Sequence, residues 1–452
     1  MKRRYEFKTI LLMGIPLLFS RLSNYFHQVT DSMMMGHYQQ GSDSLAALAM
    51  AGLFIWVFNT MLWPLGSGVQ AVCTRREGNE KLKPQPDLTL VGLVLDNGIL
   101  LVSTIALIAM FLSLSAPFFM TILLKDDNIR TIALEYIRIL RWTFLPLGLS
   151  AVMQRFLGAV HRPRYVMISS ILSNVLNIVL NYFLIFGKGI FPQLGITGAA
   201  LGTLISQCIA LIFLLTVLKI DKYFAKYEVF HFKKMNFKMM QNIFRLAYPI
   251  ALQNGTAFIV LMIFESFVGN VGSAYLAATH VVFSSFRINK TLVGGFGLAA
   301  SIHVGNALGE KNTDQAIRYA RTSKVFAYIV GMLVFIAFFF FPEVMARAFS
   351  SEGDTIAVIA KALHFFAPFY FIEILGFSYE LIFVSNGWSK FVLLSEMFTN
   401  VVFIIGFSYL ASIIVPGNIY YIWLGFGLYQ LFHSFIIHGG YYSRKWLLAR
   451  TE

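Results

Sequence analysis

Residues 88–118 read LTLVGLVLDNGILLVSTIALIAMFLSLSAPF, with Asp96 as the only charged side chain. A helix of about 20 mostly apolar residues is long enough to cross the hydrocarbon core of a bilayer. The run lacks the alternation of polar and apolar residues that marks a membrane β-strand of about 9–11 residues. It therefore predicts a transmembrane helix.

The chain of 452 residues contains twelve runs of this kind. They cover residues 8–36, 44–73, 88–118, 131–160, 165–187, 195–219, 243–269, 274–306, 316–349, 355–385, 389–414 and 419–442. Only 13% of the residues are charged and 57% are hydrophobic, whereas soluble domains are about 25% charged. We expect an all-α integral membrane protein with 12 transmembrane helices. The composition excludes a single soluble domain and a disordered chain.

The second half of the sequence repeats the first. Pro249 follows Pro16 at a shift of 233 residues, and LAAT at 276–279 follows LAAL at 45–48 at a shift of 231. Each half holds six predicted spans, and an even number brings both halves into the membrane in the same orientation. We therefore predict two six-helix lobes, related by a pseudo-twofold axis along the membrane normal, which rock against each other.

The predicted lobes are residues 1–220 and 243–452, joined by a basic cytoplasmic linker at 221–242. With the N-terminus inside, 24 Lys and Arg residues lie in inner segments and 5 in outer segments. This asymmetry follows the positive-inside rule and places both termini in the cytoplasm of a multi-pass protein of the inner cell membrane. The net charge of +14 then needs no nucleic-acid partner.

Charged side chains inside predicted spans are the main candidates for function, because each costs about 2.5–3.5 kcal/mol at the bilayer centre. The acids are Asp31, Asp96, Glu265, Glu373, Glu380 and Glu396. Asp31 lies well inside the first span, and His27 precedes it by one helical turn. We predict that Asp31 exchanges a proton or binds a small cation, with His27 as a relay or as a polar packing residue.

Asn174, Asn177 and Asn181 lie at helical spacing in the fifth span, and Thr203 lies in the sixth. Amide and hydroxyl oxygens are ligands for Na⁺ and partners for a carboxylate. Asp31, Asn177 and Asn181 thus form a predicted H⁺ or Na⁺ site, with Thr203 as a further member. The alternative is that these amides form hydrogen bonds that hold helices together.

The second half offers other candidates for ion or substrate binding. Glu373 and Glu380 are seven residues apart on one helical face, and Glu265 lies in the seventh span. Arg287 and Lys290 share a face of the eighth span. These residues predict either buried ion pairs or a second cation site.

No motif for an enzyme or an ATP-driven pump occurs in the sequence. GxxxxGK[ST], GxSxG and HExxH are missing, and the two cysteines form no CxxC motif. We therefore expect no enzymatic activity, no structural zinc and no cofactor other than a coupling ion. Transport driven by an ion gradient remains compatible with these observations, and the lipid bilayer and small organic substrates are the expected partners.

Three stretches resemble the multidrug and toxic compound extrusion (MATE) transporters. NIVLNYFLIFGKGIFPQLGITGAALGTLIS at 177–206 is similar to the fifth and sixth helices of that family. LAATHVVFSSFRINKTLVGGFGLAASIHVGNALGE at 276–310 is similar to the eighth, and TDSMMMG at 30–36 matches the first-helix Asp. The resemblance covers essentially the whole chain, and the NIxLN pattern is typical of the NorM-type bacterial branch.

The resemblance implies an antiporter that exports organic, often cationic, drugs in exchange for Na⁺ or H⁺. It carries the first-lobe ion site over to Asp31, Asn177 and Asn181, with Thr203 beside them. Two acidic positions of NorM-type members align with Ala257 and Lys390, which are not acidic here. A lipid-linked oligosaccharide flippase of the related superfamily is the alternative. Because one chain holds both lobes, we expect a monomer.

Overall fold

The computed structural model of the protein describes residues 2–36, 41–232, 235–349 and 353–451. Over these ranges the chain is helical and contains no β-strand. The helices are α1 (Lys2–Gly36), α2 (Gly41–Glu80), α3 (Thr89–Leu112), α4 (Ala116–Leu123), α5 (Asp127–Leu140), α6 (Phe144–Ala159), α7 (Pro163–Phe186), α8 (Gly195–Ile220), α9 (Phe237–Gly269), α10 (Ser273–Gly309), α11 (Thr313–Phe340), α12 (Pro342–Ala346), α13 (Gly353–Ser385), α14 (Ser389–Thr399), α15 (Ser408–Ile414) and α16 (Ile419–Tyr442).

Each of the twelve predicted runs corresponds to one helix or to two or three helical segments in succession. Within the described ranges, ten helical segments are long and apolar enough to cross a membrane. The other two predicted runs are α16 and the pair α5–α6, which a short 3₁₀ turn at Arg141–Thr143 joins. The prediction of an all-α membrane protein is confirmed.

The helices group into two compact units. The N unit comprises Phe19–Ala251 and Thr451–Glu452, and the C unit comprises Met1–Leu18 and Leu252–Arg450. The boundaries inside α1 and α9 fall two residues after Pro16 and Pro249, which are equivalent in the repeated halves. The predicted lobes, with the linker at 221–242, stay a prediction; the units differ from them in the first halves of α1 and α9.

In the N unit, hydrogen bonds join the segment that follows α8 to side chains of α3. The carboxylate of Asp96 accepts hydrogen bonds from the backbone N–H groups of Phe230 (2.7 Å) and His231 (2.9 Å). The side-chain oxygen of Asn97 accepts from the backbone N–H of Asn236 (2.8 Å). Asp96 therefore has a structural role, since it satisfies backbone donors that would otherwise lack partners. Lys233 and Lys234 of the predicted linker lie outside the described residues.

The core of the C unit is aromatic. Phe286 packs on Tyr370 with ring centroids 4.0 Å apart, and Phe366 packs on Trp423 at 5.8 Å. The indole N–H of Trp423 donates to the hydroxyl of Thr279 at 2.9 Å, which satisfies its polar group inside this core. These contacts join α10, α13 and α16 and fix the helices that present the polar side chains described below.

The first turns of α1 belong to the C unit. The Arg318 guanidinium donates to the buried carboxylate of Glu6 at 2.8 Å. Phe7 stacks on Phe326 with centroids 4.6 Å apart. Both contacts attach α1 to α11.

Candidate functional site

In the N unit, the side chains of the predicted ion site meet in one place. Asn181 of α7 donates its amide N–H to Asp31 Oδ1 of α1 at 2.8 Å. His27 Nε2 lies 3.5 Å from Asp31 Oδ2, one turn earlier in α1. Asn181 is fully buried, whereas the Asp31 and His27 side chains are 24% and 21% exposed. The Asp31 carboxylate is thus partly exposed, while the Asn181 amide that binds it is buried.

Asn177 and Thr203 complete this group. The Asn177 amide lies 3.0 Å from both Asp31 Oδ1 and the Thr203 hydroxyl, and 3.1 Å from His27 Nδ1. The Thr203 hydroxyl donates to the backbone oxygen of Ala199 at 2.9 Å. We call His27, Asp31, Asn177, Asn181 and Thr203 the Asp31 cluster.

The two ends of the Asn177 amide suit different states of Asp31. Its nitrogen donates to an ionised carboxylate, whereas its oxygen accepts from a carboxylic acid or binds a cation. The Asn177 amide therefore contains a suitable group for either state of the carboxylate.

The polar interface between α1 and α7 extends beyond this cluster. Asn174 donates to the Ser23 hydroxyl at 2.7 Å and to the Asn24 side-chain oxygen at 2.9 Å. The Ser20 and Ser170 hydroxyls lie 2.6 Å apart. Sequence reasoning missed the partners on α1, although they precede His27 at helical spacings of three to seven residues.

Because Gly202 has no side chain, Asn181 can pack closely against α8. A methyl group added at Gly202 would lie 2.1 Å from the side-chain oxygen of Asn181. Only glycine lets the amide approach α8 this closely. Sequence reasoning did not identify Gly202, because the requirement arises from the packing of α7 against α8.

In the C unit, Glu373 of α13 pairs with a lysine. Lys290 Nζ of α10 lies 3.1 Å from Glu373 Oε1. The Glu373 side chain is 4% exposed and that of Lys290 is 38% exposed. The Gln430 amide also donates to Glu373, at 3.4 Å. The predicted ion pair is confirmed for Lys290.

Glu380 takes part in a separate group. The amide of Gln253 donates to Glu380 Oε1 at 2.9 Å and also to the carboxylate of Glu396. His433 Nε2 lies 3.7 Å from Glu380 Oε2. One ligand atom from each of Glu380, Glu396 and His433 lies within 4.8 Å of the others. We call these three residues and Gln253 the Glu380 cluster.

Two carboxylates and an imidazole at this spacing can share a proton or hold a small cation. Among the residues of the cluster, Glu396 is a predicted intramembrane acid without an assigned role. Gln253 and His433 are not predicted from the sequence because neither carries a fixed charge that would mark it as costly inside a span. No sequence spacing brings α9, α13, α14 and α16 together.

The structure places Glu265 and Arg287 elsewhere. Glu265 Oε1 lies 3.4 Å from His280 Nδ1, which joins α9 to α10. The Arg287 side chain is exposed and forms no ion pair within the described part of the chain. The structure thus does not bring these two candidates to Glu373 or Glu380.

A protein-family model described as MatE matches residues 16–183 and 249–410 of the chain. The two matched ranges begin at Pro16 and Pro249, the positions that the internal repeat superimposes. The model therefore matches the two halves of the chain separately. This agrees with the duplication predicted from the sequence.

Among curated proteins, the chain is 25% identical over 345 residues to a probable multidrug resistance protein NorM of Agrobacterium fabrum, covering 76% of this chain and 72% of that protein. It is 27% identical over 371 residues to a protein of the same description from Halalkalibacterium halodurans, covering 79% and 76%. It is 24% identical over 380 residues to the mouse multidrug and toxin extrusion protein 2, covering 82% and 63%.

Solved structures share the fold. A multidrug resistance MATE family transporter of the MOP superfamily, in an outward-facing conformation, superimposes with a TM-score of 0.87 at 18% identity, covering 97% of this chain and 96% of that chain. A MOP superfamily transporter from Pyrococcus furiosus, whose binding pocket is described as having reverse polarity, gives a TM-score of 0.87 at 18% identity, covering 98% and 97%.

Proposed function

Since the chain belongs to the MatE family, we propose that it is a secondary antiporter that exports small organic compounds in exchange for H⁺ or Na⁺. The fold is that of multi-pass MATE transporters, and the curated relatives carry the names of multidrug resistance proteins. These names support organic drugs as the substrate class.

The Asp31 cluster is the observation that carries this proposal. It offers a carboxylate, two amides and a hydroxyl on three helices that are each long and apolar enough to cross a membrane. An ionised carboxylate there is unfavourable unless it is hydrogen-bonded or neutralised. Uptake of H⁺ or Na⁺ at Asp31 would therefore change which contacts between α1 and α7 are favourable.

This change is the proposed link to substrate release. An ion can shift a conformational equilibrium only if it binds one state more tightly than another. The contacts of Asp31 with His27, Asn177 and Asn181 depend on its charge, so the bound ion would favour one packing of α1 on α7. Pro16 gives α1 a place to bend. Rocking of the lobes would then expel the substrate.

We further propose that the substrates are amphipathic organic cations and that the protein works as a monomer in the inner cell membrane, with both termini in the cytoplasm. The excess of Lys and Arg in the predicted inner segments supports this orientation. The names of the curated relatives do not favour the oligosaccharide flippase.

The test uses the full chain in proteoliposomes and a fluorescent organic cation. We expect dye transport when either a pH gradient or a Na⁺ gradient is imposed, and the effective gradient identifies the coupling ion. Asp31→Asn should reduce gradient-driven transport to background. The matched control is Asp127→Asn, which neutralises a carboxylate that is 83% exposed outside the spans.

Transport at the wild-type rate by Asp31→Asn would contradict coupling at Asp31. Dye transport without either gradient would contradict antiport. Protein folding is checked separately, by the melting temperature of each variant in detergent.

A further inference from the structure

A cavity of about 350 Å³ lies on the C unit where α11, α13 and α16 meet. Two cations and four aromatic side chains dominate its lining: Arg321, Lys324, Tyr328, Tyr379, Tyr441 and Tyr442. We call it the tyrosine pocket. It contains none of the residues of the Asp31 or Glu380 clusters, so it is distinct from the proposed coupling sites.

The two cations of the pocket have no acidic partner. Neither Arg321 nor Lys324 forms an ion pair with any residue that the structure describes, although other surface lysines of the chain do. Lys324 Nζ instead lies 5.4 Å from the centre of the Tyr328 ring and 5.6 Å from that of Tyr379. Cation–π contacts position the ammonium group without neutralising its charge.

The wall of the pocket is rigid and amphipathic. The rings of Tyr379 and Tyr441 stack with centroids 4.1 Å apart and an interplanar angle of 5°. Both side chains are 2% exposed. The guanidinium of Arg444 lies 5.1 Å from the Tyr441 ring and adds positive charge nearby. Such a wall suits a ligand with a negatively charged group and an apolar body.

An exposed apolar stripe leads away from the pocket along α11. Its residues recur every three or four positions and are each 39–64% exposed: Val325, Tyr328, Ile329, Met332, Leu333 and Ile336. From Val325 to Ile336 the helix rises about 16 Å. One leaflet of the hydrocarbon core is about 15 Å thick, half of the full 30 Å. The stripe therefore matches the length of an acyl chain.

Arg321 and Lys324 lie in the half of α11 that is predicted to face the cytoplasm. Anionic phospholipids are bound by basic pockets between transmembrane helices on this side of a membrane. From the unpaired charges, the tyrosine wall and the apolar stripe, we propose that the tyrosine pocket binds the phosphate of an anionic phospholipid, whose acyl chain lies along α11.

The experiment measures lipid binding to the purified full chain by native mass spectrometry in detergent. The probes are phosphatidylglycerol and phosphatidylcholine with the same acyl chains. We expect phosphatidylglycerol to bind about tenfold more tightly, because only its headgroup has a net negative charge. Arg321→Gln combined with Lys324→Gln should remove this preference.

Two control variants separate local binding from general charge. Arg347→Gln combined with Lys361→Gln removes the same charge from other exposed positions of the C unit and should leave the preference intact. Arg321→Lys combined with Lys324→Arg keeps the charge and should retain most of the binding. Melting temperatures in detergent without added lipid show whether each variant is folded.

Equal binding of the two lipids by the wild-type protein would overturn the proposal. A preference that survives Arg321→Gln/Lys324→Gln would overturn it as well. A further arm adds inorganic phosphate or glycerol phosphate. If these raise the melting temperature as much as phosphatidylglycerol does, the pocket binds a soluble anion and the proposed lipid site is wrong.

Discussion

The side-chain nitrogen of Asn181 lies 2.8 Å from Oδ1 of Asp31, although 150 residues separate the two in the sequence. The hydrogen bond joins α7 to α1 and orients the carboxylate. It makes the amide face of α7 part of the proposed ion site. Asn174 lies on the same face but contacts Ser23 and Asn24 instead.

Asn181→Leu should reduce gradient-driven transport by about tenfold or more. The lost hydrogen bond involves a charged group and is worth about 1.5–3 kcal/mol, and about 1.4 kcal/mol corresponds to a factor of ten. Asn174→Leu, which removes an amide from the same helix face without touching Asp31, should have a smaller effect. Initial transport rates in proteoliposomes measure both. Equal losses would indicate that the amides only hold the helices together.

Gly202→Ala should impair transport without preventing folding. The added methyl group would lie 2.1 Å from Asn181 Oδ1 and would displace the amide from Asp31. Gly52→Ala is the matched control, because no heavy atom lies within 4 Å of the added methyl group there. Transport rates and melting temperatures of both variants form the test. If Gly202→Ala transports as well as Gly52→Ala, the position of Asn181 does not matter for coupling.

Lys290→Met should destabilise the protein, because it leaves the buried Glu373 carboxylate without its cation. Breaking a buried ion pair costs about 3–5 kcal/mol, and we expect about 2 kcal/mol here because Lys290 is 38% exposed. Lys290→Met combined with Glu373→Gln should recover most of the loss. Melting temperatures of Lys290→Met, Glu373→Gln and the double variant give the coupling energy. Additive losses would show that the two residues do not interact.

Acid should destabilise the N unit through His161, which lies between α6 and α7 outside the membrane-spanning segments. Burial, and secondarily the charge of Lys81, lower the pKa of His161 to about 4, against about 6.5 in an unfolded chain. The unfolded state therefore binds more protons between these values. The free energy of unfolding is therefore highest above about pH 6.5, and it decreases as the pH falls toward 4.

His161→Asn should reduce this loss of stability on acidification. Asn fits the site because His161 has a φ of 61°, a left-handed conformation that Asn tolerates. Melting temperatures in detergent at pH 7.5 and pH 4.5 measure the effect, with His231→Asn at an exposed position as control. A pH dependence that His161→Asn leaves unchanged would show that other groups cause it.

The sequence predicts the helices well because a long apolar run has few alternative structures in a membrane protein. It does not predict where the backbone of such a run changes from an α-helix to a 3₁₀ or π-helical segment. The run at 131–160 contains the 3₁₀ turn Arg141–Thr143, and the run at 389–414 contains a π-helical segment at Asn400–Phe407. Residues 401–407 read VVFIIGF and are apolar throughout, so hydrophobicity gives no signal there, and a charged residue such as Arg141 does not by itself specify a 3₁₀ turn.

The Asp31 cluster could be predicted because its members stand out individually. Asp31 is a charge in an apolar helix, and Asn177 and Asn181 repeat at one helical turn. The Glu380 cluster could not, because its residues come one at a time from four separate helices. Only the packing of the C unit brings Gln253, Glu396 and His433 to Glu380.

The Asp31 cluster contains a single carboxylate and a single imidazole, that of His27, and its amides and hydroxyl carry no charge at any physiological pH. When His27 keeps the same charge throughout the cycle, one H⁺ or Na⁺ neutralises Asp31. Exchange of one such ion for a singly charged organic cation would be electroneutral, so the membrane potential would neither drive nor oppose it. Export of an uncharged compound by the same one-ion cycle would be electrogenic, and the cell could accelerate it by raising its membrane potential alone.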